Sequence, residues 1–242
     1  MKIGRFLYRR KIIEGIIKGE NVLLSDGERV GIDGLEYLSP TAPSKIVCAG
    51  LNYLDHAKEL KMQIPETPVL FLKPPSAVIG HKGMVKYPKM TKKLDYEAEL
   101  AIVIGKKCKD VPRKKAFNVI RGYTCLNDIT ARDLQEEDGQ WTRSKSFDTF
   151  APIGPYIVTK DEVDPGNLEI KMTVNNKLCQ KSNTKNFIFD VPTLIEFISE
   201  VMTLYPGDII STGTPPGIGR INPGDKMEVE IEGIGTLVNY VS

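Results

Sequence analysis

Apolar residues recur along this chain mainly at every second position, the signature of strands with one face turned inward. "LEIKMTVNN" alternates, with Leu168, Ile170, Met172 and Val174 on one face, and Asn175-Asn176 supplies a tight turn after it. "KMEVEIEG" alternates again, with Met227, Val229 and Ile231 inward. The first forty residues read as short strands, "KIGRFLYRR", "KIIEGIIKGENVLLSD" and "ERVGI", punctuated by Gly19, Asp26-Gly27 and Asp33-Gly34. A helical period is clearest in "DVPTLIEFISEVMTL". There Leu194, Ile195, Ile198, Val201 and Met202 form a stripe, Asp190 caps the start and Pro192 suits the first turn. "NYLDHAKEL" reads as the opening of another helix and "KIVCAG" as a buried strand. Strands outnumber helices and do not alternate with them regularly, so the pattern predicts an α+β fold that is predominantly β, not a doubly wound sheet. "SPTAPS", residues 39–44, interrupts the pattern. It is the expected boundary between a small N-terminal β domain, 1–43, and a main domain, 44–242.

One stretch raises a chemical question. "LDYEAELAIVIG", residues 94–105, places Glu97 and Glu99 directly before an apolar run. Residues i and i+2 of a strand share a face, so the two carboxylates stand side by side, on the face continued by Ala101 and Val103. Two neighbouring acids at an interior are costly unless something positive binds them. "YTCLNDITARD" offers a third acid, Asp128, just after a short apolar strand. Three carboxylates with no His or Cys beside them favour a hard cation such as Mg²⁺ or Mn²⁺ over zinc. The alternative is a solvated strand face whose glutamates pair with lysines.

Three further clusters carry candidate chemistry. His56 and Glu59 stand at i and i+3, so on a helix the glutamate can orient the imidazole as a general base; a surface helix pair is the alternative. His81, in the turn-like "VIGHKG", is given no role. In "TARDLQEEDGQWTRSKSFD", Gln135 and Lys145 supply polar groups for an anionic substrate, with Lys145 offering charge at a developing oxyanion. Arg132 and Asp133 read as a structural pair, and Trp141 reads as core packing. "STGTPPGIG" is glycine-rich but is neither GxxxxGK[ST] nor GxGxxG, which disfavours a nucleotide cradle. Its backbone amides, with the Thr214 hydroxyl, are candidates to bind a carboxylate, and a plain β-turn is the other reading.

Composition narrows the setting. The 242 residues are 41% hydrophobic and 26% charged, which suits a soluble domain with a sizeable core. A net charge of +2, spread along the chain, gives no electrostatic case for nucleic acid. The four cysteines, Cys48, Cys108, Cys125 and Cys179, are widely spaced with no CxxC and fit reduced thiols in a cytoplasmic chain. No signal-peptide core or membrane-length apolar run is expected, and GxSxG is absent.

Taken together, "AGLNYLDHAKEL", "PVLFLKPPSAVIG", "DYEAELAIVIG", "NDITARDLQ", "WTRSKSFDTFAPIGPYIV" and "GDIISTGTPPGIG" resemble the fumarylacetoacetate hydrolase (FAH) superfamily over roughly residues 45–241. The similarity is greatest to its short-chain branch of acylpyruvases, oxaloacetate decarboxylases and 2-hydroxyhepta-2,4-diene-1,7-dioate isomerases. The resemblance implies a mixed β-sandwich or β-roll, a homodimer, and Mg²⁺ or Mn²⁺ on Glu97, Glu99 and Asp128. It implies that His56 and Glu59 act as a dyad. Gln135, Lys145 and Thr214, with Gly213 beside it, match substrate-contacting positions. Some members carry arginine where this chain has Leu51, which removes one anion contact. The expected activity is metal-dependent chemistry on 2-oxo or enol carboxylic acids, foremost the hydrolysis of acylpyruvate C–C bonds. Diene-dioate isomerisation and oxaloacetate decarboxylation or tautomerisation are the alternatives within enzymes, and a non-catalytic binding protein that keeps the fold is the alternative outside them.

Overall fold

A computed structural model describes all 242 residues. The chain is predominantly β, built on three sheets, with four α-helices: α1 (Leu54–Leu60), α2 (Arg132–Asp138), α3 (Thr142–Lys145) and α4 (Val191–Val201). The largest sheet has twelve strands. Its central part runs Lys2–Tyr8, Ala151–Thr159, Ile120–Asn127, Ala98–Ile104, Ile209–Ser211, Ile46–Ala49 and Leu70–Lys73 in spatial order. The strands Arg29–Gly31, Asn21–Leu24 and Lys11–Lys18 extend one end. A five-stranded sheet contains Glu169–Val174 and Lys226–Ile231, and a three-stranded one contains Leu94–Tyr96 between Thr130–Ala131 and Gly219–Ile221. No helix is long and apolar enough to cross a membrane.

The alternating segments behave as their pattern dictates. Ile170 pairs with Ile231 and Met172 with Val229 across an antiparallel ladder, and all four are at most 1% exposed. Asn175 and Asn176 both take positive φ, 49° and 63°, which the tight turn after this strand requires. In α4 the Asp190 carboxylate accepts the Thr193 N–H at 2.9 Å, and Val191, Leu194, Ile195 and Ile198 are buried. Val201 turns outward and is 58% exposed, while Met202, just past the helix, packs partly buried against the core.

The strand Ala98–Ile104 departs from simple alternation: every one of its residues is buried. It lies between Ile120–Asn127 and Ile209–Ser211 in the middle of the large sheet, so neither edge is free, and the five-stranded sheet packs against it through Glu169–Val174 and Lys226–Ile231. It belongs to a continuous core of 46 buried residues, in which each fully buried aliphatic side chain contributes about 1.5–3 kcal/mol. A separate core of four residues, Phe6, Val22, Val30 and Leu35, lies under the N-terminal strands. Those strands join the main body where Lys2 and Ile3 pair with Val158 and Ile157.

Candidate active site

Glu97 stands where the chain changes sheets. Leu94–Tyr96 pairs with strands of the three-stranded sheet, whereas Ala98–Ile104 belongs to the large one. At the crossover the Glu97 N–H donates to the Asn127 side-chain oxygen at 3.0 Å, and the Asp128 N–H donates to the Glu97 carbonyl at 2.8 Å. The main chain thus fixes Glu97 beside Asp128, and Glu99 follows one strand repeat later. One carboxylate oxygen from each of the three acids lies within 4.8 Å of the other two, and all three residues are buried.

Cations converge on two of the acids. Lys145 Nζ donates to Glu97 Oε2 at 2.9 Å and to Asp128 Oδ2 at 2.6 Å. Lys73, 1% exposed at the end of Leu70–Lys73, donates to Asp128 Oδ1 and to the Ile129 carbonyl at 3.0 Å. Arg132, at the start of α2, donates to Glu97 Oε1, to Asp95 Oδ2 at 2.9 Å and to Gln135 Oε1 at 2.5 Å. Burial alone would raise the Glu97 pKa, but Lys145 and Arg132 pull it down to about 2. Burial lowers the Lys145 pKa and is outweighed by Asp128 and Glu97, which raise it. For Lys73 burial wins, and its pKa falls.

Glu99 is different. It makes no ion pair with lysine or arginine. Its Oε2 accepts from the Ser211 hydroxyl and from the Gly213 N–H at 2.9 Å. Burial, then the charges of Asp128 and Glu97, push its pKa up to about 8. Three converging, buried, oxygen-only donors, one of them lacking a countercharge, form a donor set that fits a hard divalent cation such as Mg²⁺ or Mn²⁺.

His56 is buried in α1, and its Nδ1 lies 2.8 Å from Glu59 Oε2. Glu59 also accepts the Gly217 N–H at 3.1 Å, which ties α1 to the glycine-rich loop. His56, Glu97, Glu99, Gln135, Lys145 and Thr214 line one cavity of about 210 Å³. Glu59, Asp128 and Gly213 stand behind that lining as hydrogen-bond partners.

Three expectations change in detail. The Arg132 guanidinium reaches across to Asp95 and Glu97, while Asp133 accepts from Thr91 and the Lys92 N–H, so these neighbours are not a pair. Adjacent helical residues point to different sides, and strand pairing brings Asp95 opposite the start of α2. Trp141 is not core filling but cavity wall, packed edge-on against Phe71 at 5.1 Å between ring centroids. Two amides of the glycine-rich loop, those of Gly213 and Gly217, grip the protein's own Glu99 and Glu59. The Thr214 hydroxyl oxygen accepts from Gln180 at 2.9 Å. Lys73 was not foreseen; the signal was a lone lysine ending the apolar "VLFLK" before two prolines. His81 lies apart from the cavity, where its Nδ1 accepts the Val238 N–H at 3.1 Å.

The family described as fumarylacetoacetate (FAA) hydrolase C-terminal matches residues 45–242. A relative from Rattus norvegicus named oxaloacetate tautomerase Fahd2a, mitochondrial, is 42% identical, covering 85% of this chain and 69% of its own length. The crystal structure of a 5-carboxymethyl-2-hydroxymuconate delta-isomerase from Mycobacterium smegmatis is 42% identical with a TM-score of 0.93, covering 100% of this chain and 98% of that one. A maleylpyruvate hydrolase from Sphingobium sp., solved with manganese(II) and pyruvate, is 31% identical with a TM-score of 0.84, again covering 100% and 98%.

Proposed function

The chain belongs to the fumarylacetoacetate hydrolase family, and from that premise we propose that it is a divalent-metal-dependent enzyme hydrolysing the C–C bond of acylpyruvates. Proteins of this family are enzymes, with hydrolases, isomerases and tautomerases among the relatives. The observation that carries the proposal is the meeting, at one cavity, of Glu97 and Glu99, backed by Asp128, with His56, backed by Glu59.

Glu97, Glu99 and Asp128 would hold Mg²⁺ or Mn²⁺, which when bound supplies an electrophile for the carboxylate and 2-oxygen of a 2-oxo acid. Glu59 accepts the Nδ1 proton of His56 and so fixes the tautomer that leaves Nε2 free as a base. Nε2 takes a proton from water as the water oxygen bonds to the distal acyl carbon. Lys145 and Gln135 stabilise the oxyanion that forms there. The bond from the acyl carbon to the methylene then breaks, and its electron pair stays on the methylene carbon. The proton held on His56 is delivered to that carbon, giving a carboxylic acid and pyruvate.

A second reading, tautomerisation of a 2-oxo acid, is favoured by the name of the rat relative and needs only proton transfer by the dyad. A panel of acetylpyruvate, longer acylpyruvates and oxaloacetate, assayed with Mg²⁺ or Mn²⁺ and with EDTA, separates the two. Hydrolysis releases one pyruvate per acylpyruvate and stops with EDTA. Keto–enol interconversion of oxaloacetate without pyruvate release from any acylpyruvate would favour the second reading. Inactivity on the whole panel would overturn both.

A further inference from the structure

The cavity has two unlike halves. Its floor is the charged cluster; its wall and mouth are Leu51, Leu60, Met62, Phe71, Trp141 and Ile218. Gly50 allows Trp141 to close this wall, because a Cβ at position 50 would sit 3.1 Å from the indole ring. Lys145 Nζ, 4.9 Å from the Phe71 ring centroid, marks the boundary between the halves. Leu60 and Met62, on either side of the Lys61 cap of α1, are 45% and 55% exposed at the mouth.

Every cation that lines the cavity already has a carboxylate partner. Arg132 is paired with Asp95 and Glu97, and Lys145 with Glu97 and Asp128. Lys73, behind the floor, is paired with Asp128. Lys58 and Lys61 of α1 are exposed and do not line the cavity. The cluster holds four carboxylates, Asp95, Glu97, Glu99 and Asp128, against three basic side chains. A divalent ion leaves one net positive charge, and the carboxylate of a 2-oxo acid uses it. A second carboxylate at the far end of the substrate would face the apolar wall and find no cation that is not already paired, so it gains less there than an apolar arm does.

We propose that this site selects 2-oxo acids whose distal arm is uncharged and apolar, and rejects those ending in a second carboxylate. The proposal rests on the acylpyruvate reading of the cavity and sets it against the second reading, since oxaloacetate ends in a second carboxylate. It is tested by binding, which needs no turnover. Isothermal calorimetry of the Mn²⁺-loaded protein compares 2-oxoglutarate with 5-methyl-2-oxohexanoate, in which an isopropyl group replaces the terminal carboxylate. The isopropyl compound is expected to bind at least about tenfold more tightly. Leu51→Arg should invert the order, and Leu60→Lys, at an exposed position that tolerates charge, should narrow the gap. Equal or tighter binding of 2-oxoglutarate by the unaltered protein would overturn the proposal while leaving the acylpyruvate reading intact. Binding of neither compound, with Mn²⁺ itself bound, would remove the 2-oxo acid reading and this proposal with it.

Discussion

Replacing Glu97 by glutamine separates the two jobs its carboxylate is assigned. In the metal-free protein that carboxylate is an ion-pair partner of Lys145 and Arg132. Removing one partner of a buried pair costs about 3–5 kcal/mol when the other is left alone. Neither cation is left alone here, since Lys145 keeps Asp128 at 2.6 Å and Arg132 keeps Asp95 at 2.9 Å. The cost should therefore fall to about 1–3 kcal/mol, a drop of roughly 3–10 °C in melting temperature for a chain of this size. With metal the contrast grows. At a concentration 100 times its Kd, Mg²⁺ or Mn²⁺ would stabilise the parent protein by about 2.7 kcal/mol, roughly 5–10 °C. If Glu97→Gln weakens the ion about 100-fold, the same concentration stabilises the variant by only about 0.4 kcal/mol, roughly 1 °C. The assay is thermal unfolding of both proteins in EDTA and in excess metal, with calorimetric titration of the ion. An equal metal-induced rise in both would refute Glu97 as a ligand, and an unchanged melting temperature in EDTA would refute the ion-pair argument.

Other substitutions probe other parts. His56→Ala should lower kcat by about 10²–10⁴ and leave metal affinity unchanged by calorimetry; a collapse of affinity would make the histidine a ligand instead of a base. Gly217→Ala should lower kcat by about 10-fold or more through the displaced dyad, although it removes no reacting group. Position 217 has φ +92°, and a Cβ there would come 2.4 Å from the Cys179 carbonyl, so the amide that holds Glu59 must move. Activity equal to the parent would show that the loop does not position Glu59. Burial, then the charge of Lys82, lowers the His81 pKa from 6.5 to about 4, so the folded state resists a proton that the unfolded chain accepts. Its contribution is full above about pH 6.5 and is lost as the pH falls to about 4, amounting to at most about 3 kcal/mol. Denaturant midpoints of His81→Gln should be flatter across that window, and a profile parallel to the parent's would count against this assignment.

Much of this site was legible because its chemistry is local in sequence. Glu97 and Glu99 share a strand face, and His56 and Glu59 share a helix face, so period alone places each pair. The same holds for α4, whose cap, proline and stripe lie within fifteen residues. What stayed hidden depends on contacts between distant segments. Lys73 reaches Asp128 from 55 residues away, and the Gly213 amide reaches Glu99 from 114. The order of strands in the large sheet, where Ile209–Ser211 lies between Ala98–Ile104 and Ile46–Ala49, leaves no periodic trace. For Arg132 the neighbour in sequence, Asp133, is not the partner in space, because the ladder between Leu94 and Ala131 sets Asp95 in its reach.

The crossover at Glu97 has a consequence for how chemistry diversifies on such a scaffold. The gauge between Glu97 and Asp128 is stitched by peptide atoms, through the Asp128 amide and the Glu97 carbonyl, with the Asn127 side chain as an added tie. The mouth, by contrast, is made of side chains on a short helix and loops, Leu60 and Met62 among them, and exchanging them leaves that spacing untouched. A spacing set by the backbone beneath a rim set by side chains is an arrangement in which the opening can be re-tailored without moving the anvil below.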